Sequence, residues 1–108
     1  MEMQDSLNGA RGMRSHVELP RLVFFTASTS GACRTAEAWV ASVLQQRRTY
    51  QKIKLVTVDA QERPDLLERF QIERLPTLVV VDQKVAKARV ECPRGTDEIR
   101  KLLAPWLR

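Results

Sequence analysis

The pattern of apolar and polar positions along the chain changes at residue 21. Residues 1 to 20 are polar and keep no sustained period of 2 or 3.6, which predicts a flexible or weakly helical N-terminal arm. From Arg21 onward, short apolar runs alternate with polar segments that contain turn-forming residues. We therefore expect one folded domain over residues 21 to 108 and no second domain.

The first half of this domain predicts a strand, a helix and a second strand. Leu22 to Ala27 is an apolar run and Ile53 to Asp59 is rich in β-branched residues, so both are expected to be strands. Between them, residues 32 to 47 carry apolar side chains at i, i+3 and i+4, the spacing of an amphipathic helix. Thr29 or Ser30 is expected near the N-cap of that helix.

The second half predicts a short helix, a hairpin and a final helix. Arg63-Pro64-Asp65 should begin the short helix, because proline is favoured in a first helical turn. The runs from Thr77 to Val81 and from Val85 to Val90 predict the hairpin, and Thr96 is expected to cap the final helix. The apolar face of that helix would consist of Ile99, Leu102, Leu103 and Trp106. The order β-α-β-α-β-β-α predicts an α/β sandwich, a mixed sheet with helices on both faces.

Composition narrows the possible functions. A hydrophobic content of 44% is enough for a core without metals or disulfides. The net charge is +5, but bases are interleaved with acids and no basic run contains stacking aromatics, so we expect no nucleic-acid partner. The apolar runs are too short to span a bilayer and the N-terminus lacks the regions of a signal peptide, which predicts a cytoplasmic protein without a membrane partner.

The two cysteines and the single histidine indicate which chemistry is available to the chain. Two cysteines in a cytoplasmic chain are expected to be reduced rather than joined in a structural disulfide. Two cysteines and one histidine show no usable spacing of metal ligands. We therefore expect no metal and no other cofactor, and any chemistry should depend on the thiols themselves.

Candidate chemistry lies where the first predicted strand meets the first helix. The segment Thr29-Ser30-Gly31-Ala32-Cys33 places a single thiol in the first turn of that helix. Further along, Phe70-Gln71-Ile72-Glu73-Arg74-Leu75-Pro76-Thr77 connects the short helix to the hairpin. Over about residues 21 to 107, these segments resemble the thioredoxin family, which has Trp-Cys-Gly-Pro-Cys at the first and Ile-Pro-Thr in the second.

The resemblance implies a thioredoxin-like sandwich in which Pro76 is cis and packs against the active loop. Backbone groups beside this proline would pair with an extended peptide. The groove for that peptide would be formed by Thr29, Gly31, Ala32, Leu75, Pro76 and Glu91. The arm shows no counterpart of the family's first strand, which would be missing or replaced. The strand from Ile53 to Val58 would then be covered by the arm or pair with a second copy of the chain.

Departures from the family pattern change the expected chemistry. Ser30 stands where the family has the attacking cysteine, Thr29 where it has the preceding tryptophan, and Ala32 where it has the proline between the thiols. Phe24 and Thr57 stand where the family has a buried carboxylate and a nearby lysine, the pair that handles protons. A serine cannot form a disulfide, so the two-thiol cycle of the family cannot operate within this loop.

Cys33 is the remaining candidate nucleophile in the loop, with Ser30 beside it. Backbone N–H groups at the helix N-terminus favour a thiolate, and Ser30 could donate a hydrogen bond to it. A buried and inert structural cysteine is the alternative.

Three functions stay open for a chain with this loop. The first is thiol redox chemistry through mixed disulfides between Cys33 and a partner protein or small thiol, with impaired dithiol reductase activity. The second is a non-catalytic module that binds a peptide or protein beside Pro76. The third is a thiol peroxidase, because peroxiredoxins have Thr-x-x-Cys where this chain has Ser30-Gly31-Ala32-Cys33.

Cys92 is the candidate second thiol, and it follows Glu91, which stands where the groove of the family has a glycine. Aligned on the family hairpin, Cys92 is expected at the same end of the sheet as Cys33 and Pro76, within about 10 Å of Cys33. A disulfide requires Cα atoms within about 7 Å, so we expect two free thiols at rest and a bridge only after the loop around Glu91 moves. An incidental surface cysteine is the alternative.

Overall fold

The order of elements follows the predicted sequence of strands and helices. The computed structural model describes residues 19–46 and 52–107. Its elements are β1 (Arg21–Thr26), α1 (Gly31–Leu44), β2 (Lys54–Asp59), α2 (Pro64–Arg69), β3 (Thr77–Asp82), β4 (Val85–Glu91) and α3 (Thr96–Leu103), followed by a 3-10 turn at Ala104–Trp106. The predicted α/β class is confirmed.

The four strands of the described residues form one mixed sheet in the order β2-β1-β3-β4. β1 runs parallel to β2, whereas β3 is antiparallel to both β1 and β4. Phe25 of β1 lies opposite Thr77 of β3, and Thr77 lies opposite Glu91 of β4. The end of β1, the start of β3 and the end of β4 therefore meet at one end of the sheet.

The two central strands, β1 and β3, are buried on both faces of the sheet, because helices cover each face there. Successive side chains of a strand point to opposite faces, so Leu22 and Phe24 pack on one side and Val23 and Phe25 on the other. The first side is completed by α1 and α3 through Ala36, Val40, Val43, Leu44, Ile99 and Leu103. The second side is completed by half-buried residues on and after α2, namely Leu66, Leu67, Phe70 and Ile72. The predicted sandwich is confirmed.

Two helix boundaries differ from the predictions. α1 ends at Leu44, whereas the apolar spacing predicted a helix to residue 47. Leu44 is the last buried residue of the helix, and the next two backbone N–H groups close the final turn, that of Gln45 on the Ala41 carbonyl and that of Gln46 on the Val43 carbonyl. The N-cap of α3 is Gly95 rather than Thr96, which is the first helical residue. The helix therefore begins without a side-chain cap.

The start of α2 follows the prediction from its proline. Pro64 occupies the first turn of the helix. A backbone N–H there has no acceptor within the helix, so proline, which lacks the N–H, breaks no helical hydrogen bond. Arg63 Nη2 lies 3.0 Å from Asp65 Oδ2, and this hydrogen bond lowers the pKa of the Asp65 carboxyl below its usual value. Both side chains are exposed, so the pair lies at the surface and forms no part of the core.

The outer edge of β2 has no strand partner among residues 19–46 and 52–107. Leu55, on this strand, is 40% exposed. The predicted arm over residues 1 to 20 lies outside the described residues except for Leu19 and Pro20, and so does the prediction of a missing or replaced first strand. In the part of the chain that the structure describes, no helix has the length and apolar content needed to cross a membrane.

Candidate functional site

Ser30 fixes the start of the helix that carries the candidate thiol. Its hydroxyl accepts a hydrogen bond from the backbone N–H of Cys33, with a distance of 3.2 Å, and its own N–H donates to the Ala27 carbonyl at 3.1 Å. Ser30 is therefore the N-cap of α1, one of the two residues expected there. The hydrogen bond between Ser30 and Cys33 differs from the expected one, since the hydroxyl oxygen accepts from the backbone N–H of Cys33, whereas the expected bond was a donation to its thiolate.

Cys33 points into the protein from the first turn of α1. Its residue is 1% exposed, and Sγ accepts a hydrogen bond from the backbone N–H of Ala27 at 3.3 Å. The Ala27 amide therefore lies against the sulfur, where a donor stabilises negative charge. A partner can reach Sγ only if the loop from Ala27 to Ala32 moves.

The outer surface of this loop is open to solvent. Thr29, Gly31 and Ala32, three of the predicted groove residues, are exposed. Arg34 folds back over the loop, and its Nη1 donates to the Ser28 carbonyl at 3.3 Å. The loop thus presents short side chains and one guanidinium at the place where a partner would approach.

Pro76 lies at the start of β3 and is buried. The peptide bond between Leu75 and Pro76 is cis, the isomer that the family resemblance implied. The Pro76 carbonyl accepts a hydrogen bond from the N–H of Cys92 at 2.8 Å, so the end of β4 is tied to this proline. Leu75 is half-buried beside it, and the Thr77 hydroxyl closes the turn by donating to the Arg74 carbonyl at 2.6 Å.

Cys92 is exposed and lies next to this turn. Its Sγ is 3.8 Å from the Leu75 carbonyl oxygen, within reach of a weak S–H donor. Its backbone φ of 48° is in the left-handed region, which costs energy in a residue other than glycine. Cys33 and Cys92 are both free thiols. Because β3 separates β1 from β4, the strand ends that lead to the two thiols are about 10 Å apart.

The two positions that would handle protons in the family lie side by side. Phe24 and Thr57 are directly paired across β1 and β2. Phe24 is 1% exposed and belongs to the core, whereas Thr57 is exposed on the edge strand. An apolar ring and a hydroxyl therefore stand at these two positions, and neither is a titratable group that could serve Cys33 as a general acid or base near neutral pH.

The family model for thioredoxin matches residues 13–105. The chain belongs to the thioredoxin family. No curated protein matches this chain by sequence. Among the described residues, no three His, Cys, Asp or Glu side chains come together as metal ligands.

Solved structures show the same fold. The germline-specific thioredoxin Deadhead of Drosophila melanogaster is 22% identical, with 82% of this chain and 82% of that chain covered and a TM-score of 0.72. The thioredoxin NaTrxh of Nicotiana alata is 23% identical over 82% of this chain and 73% of that chain, with a TM-score of 0.72. A Fasciola hepatica thioredoxin is 16% identical over 82% of this chain and 81% of that chain, with a TM-score of 0.71. These identities establish the thioredoxin fold and no more.

A groove beside the predicted peptide site was missed by the sequence reasoning. It lies between α2 and β4, has a volume of about 750 Å³, and is lined by Pro64, Leu67, Glu68, Gln71, Ile72, Glu73, Arg89 and Glu91. Glu91 was predicted to line the peptide site, because it replaces the glycine of other thioredoxins. The remaining residues lie on α2, after it and on β4, and no local motif connects them.

Proposed function

We propose that this thioredoxin acts in thiol redox chemistry by forming a mixed disulfide between Cys33 and a partner that lies in the groove beside Pro76. The observation that carries the proposal is the position of Cys33, in the first turn of α1 with its Sγ against the Ala27 N–H. Backbone N–H groups at a helix N-terminus favour the thiolate, which is the nucleophile in disulfide exchange. The cytoplasm, where thiols are kept reduced, is the compartment we propose.

The proposed reaction is an exchange of one disulfide for another. The Cys33 thiolate attacks one sulfur of a partner disulfide, forms the mixed disulfide and releases the other partner sulfur as a thiolate. A second thiolate then attacks the Cys33 sulfur, which breaks the mixed disulfide, releases the remaining partner sulfur as a thiolate and leaves Cys33 joined to the attacking sulfur in a new disulfide. Cys92 or a small thiol is the proposed source of that second thiolate. Ser30 takes no part in the exchange and holds the helix start in place.

The burial of Cys33 favours a second candidate function. At 1% exposure its sulfur is shielded from partners, and a buried cysteine behaves as a small apolar residue. In that case the chain is a non-catalytic module that binds an extended peptide beside Pro76. The thiol peroxidase hypothesis gains no comparable support, because the guanidinium of Arg34, which folds over the loop, donates to the Ser28 carbonyl.

Reaction with glutathione disulfide separates the two candidates. In Cys92→Ser, Cys33 is the remaining cysteine, so any glutathionyl adduct on that variant is on Cys33. We expect the folded variant to form this adduct, more slowly than Cys33→Ser forms one on the exposed Cys92. Mass spectrometry of the intact protein measures both rates. If Cys33 reacts only after the protein is unfolded in denaturant, the redox proposal is wrong and the binding module is favoured.

A further inference from the structure

The groove between α2 and β4 is placed to extend the peptide site. Arg89 lies opposite Val79, whose side chain packs on the face of the sheet covered by α2. Glu91, two residues further along β4, points to the same face. The groove therefore opens on the α2 side of the sheet and shares Glu91 with the site beside Pro76.

The walls of this groove differ in charge from the molecule as a whole. The carboxylates of Glu68, Glu73 and Glu91 line it, and all three residues are exposed. None of them forms an ion pair within residues 19–46 and 52–107. Of the described residues that line the groove, Arg89 alone is basic, and its guanidinium binds the Phe70 and Gln71 carbonyls. A net negative groove thus lies on a chain of net charge +5.

The floor of the groove is apolar. Leu67 and Ile72 are half-buried and pack against the core cluster on this side of the sheet, while Pro64 contributes an exposed ring at one end. Ligand sites commonly combine such a floor with a few charged groups that give specificity. The complementary ligand carries an aliphatic side chain with positive charges on either side of it.

We propose that this groove binds a basic segment of an extended polypeptide, in which lysine or arginine residues flank an aliphatic side chain. The aliphatic side chain packs on Leu67 and Ile72, and the basic side chains pair with Glu73 and Glu91. This inference rests on the proposed function, since it assigns the class of partner that enters the site beside Pro76. A nucleic acid is disfavoured, because its phosphates would face the carboxylates.

The size of the charge effect follows from the exposure of the groove. Ion pairs between exposed groups contribute modestly, and each is worth roughly a two- to fivefold change in affinity. Two such pairs should favour a basic peptide over a neutral one by about tenfold at low salt. Salt screens exposed pairs, so the preference should shrink as ionic strength rises.

Binding of three synthetic peptides to the full chain tests the proposal. The peptides have equal length and one central leucine, which is flanked by lysines in the first, by glutamines in the second and by glutamates in the third. Fluorescence anisotropy at low and high salt measures each Kd. Glu73→Gln with Glu91→Gln removes two charges from the groove. The matched control is Glu37→Gln with Glu98→Gln, which removes two charges from α1 and α3 on the opposite face.

We expect the lysine peptide to bind about tenfold tighter than the glutamine peptide at low salt, and the glutamate peptide to bind weakest. The groove variant should lose most of this preference, whereas the control variant should keep it. Equal binding of all three peptides would overturn the basic-partner inference and leave the proposed function standing. An equal loss of the preference for the lysine peptide in the groove variant and in the control would also overturn this inference. Absence of peptide binding together with an unreactive Cys33 would overturn both.

Discussion

Ser30 shows how one residue can keep a local structure while removing its chemistry. As the N-cap of α1, its hydroxyl accepts the Cys33 N–H. Serine is among the best N-cap residues, and replacing it with alanine typically costs about 0.5–2 kcal/mol of stability. The exchange of the attacking cysteine for serine therefore leaves a well-formed helix start. What is lost is the first thiol of the family's two-thiol cycle, which leaves Cys33 as the one thiol of the loop.

Restoring that thiol should give little catalysis. We expect Ser30→Cys to place a second thiol in the loop with Cys33 but to reduce insulin at least about 100-fold more slowly than a thioredoxin with the complete motif, because general acid–base catalysis contributes about 10²–10⁴-fold. Phe24 and Thr57 supply no group for it, and Ala32 alters the loop. Precipitation of reduced insulin measures the rate.

Ser30→Ala is the control for this variant, since it lacks both the hydroxyl and a second thiol. The unmodified protein and Ser30→Ala should show no dithiol-dependent turnover. Robust insulin reduction by the unmodified protein, abolished by Cys33→Ser, would contradict this account of the loop.

At the level of single residues, the sequence indicated the positions of key residues better than it indicated the hydrogen bonds that they form. It offered Thr29 or Ser30 for the helix cap, and Ser30 is the N-cap. The family resemblance implied that Phe24 and Thr57 occupy neighbouring positions, and the structure pairs them across β1 and β2. The sequence did not predict the acceptor role of the Ser30 hydroxyl toward the backbone. A hydroxyl can accept or donate, and the choice depends on which backbone N–H lies nearest in the folded turn.

At the level of elements, the strands and helices were predictable because each has a clear period, but their ends were not. α1 ends where its buried face ends, at Leu44, since the continued spacing to residue 47 carries no further apolar residue. Thr96 has the chemistry of an N-cap, yet Gly95 occupies that position in extended conformation. Helix ends depend on competing local hydrogen bonds, which a periodic pattern does not contain.

The open edge of β2 leads to a prediction about this strand. The Lys54 N–H donates to the Pro20 carbonyl at 2.9 Å, so the alternating amides of Leu55 and Thr57 point away from β1. An exposed row of unpaired backbone groups invites pairing with another strand. We propose that the N-terminal arm or a second copy of the chain covers this edge. The Leu55 and Thr57 amides should then exchange with solvent as slowly as that of Val56, measured by hydrogen exchange and NMR.

A shortened chain that begins at Leu19 distinguishes the two kinds of cover. If the arm covers the edge, exchange at Leu55 and Thr57 should accelerate in the shortened chain. If a second copy does so, exchange should instead accelerate on dilution, in step with dissociation seen by sedimentation. Rapid exchange at both amides in a strictly monomeric full chain would exclude both forms of cover.

At the level of the whole molecule, strand order brings together residues that are far apart in sequence. Cys33 follows β1, Pro76 precedes β3 and Cys92 follows β4, and the register places all three at one end of the sheet. The family resemblance was sufficient to predict this grouping. The acidic groove was not predictable in the same way, because its carboxylates come from α2, the following turn and β4, and only the packed fold makes them neighbours.

The same strand order separates the strands that lead to the two thiols. β3 lies between the strands that lead to Cys33 and Cys92, a separation of about 10 Å, whereas a disulfide requires Cα atoms within about 7 Å. Both thiols are free, Cys33 is buried and Cys92 is exposed. We therefore predict that a bridge requires movement of the active loop or of the segment around Glu91. Its formation would make Cys92 the resolving thiol.

Alkylation under mild oxidation tests this coupling. We expect Cys92 to be alkylated first in the reduced protein, because its sulfur is accessible without any movement. After mild oxidation, both cysteines should become protected together, and Cys33→Ser should leave Cys92 open to alkylation. Mass spectrometry of each cysteine-containing peptide gives the protected fraction. If the two cysteines never protect one another while Cys33 still accepts glutathione, a small thiol rather than Cys92 must complete the exchange, because no other cysteine is present in the chain.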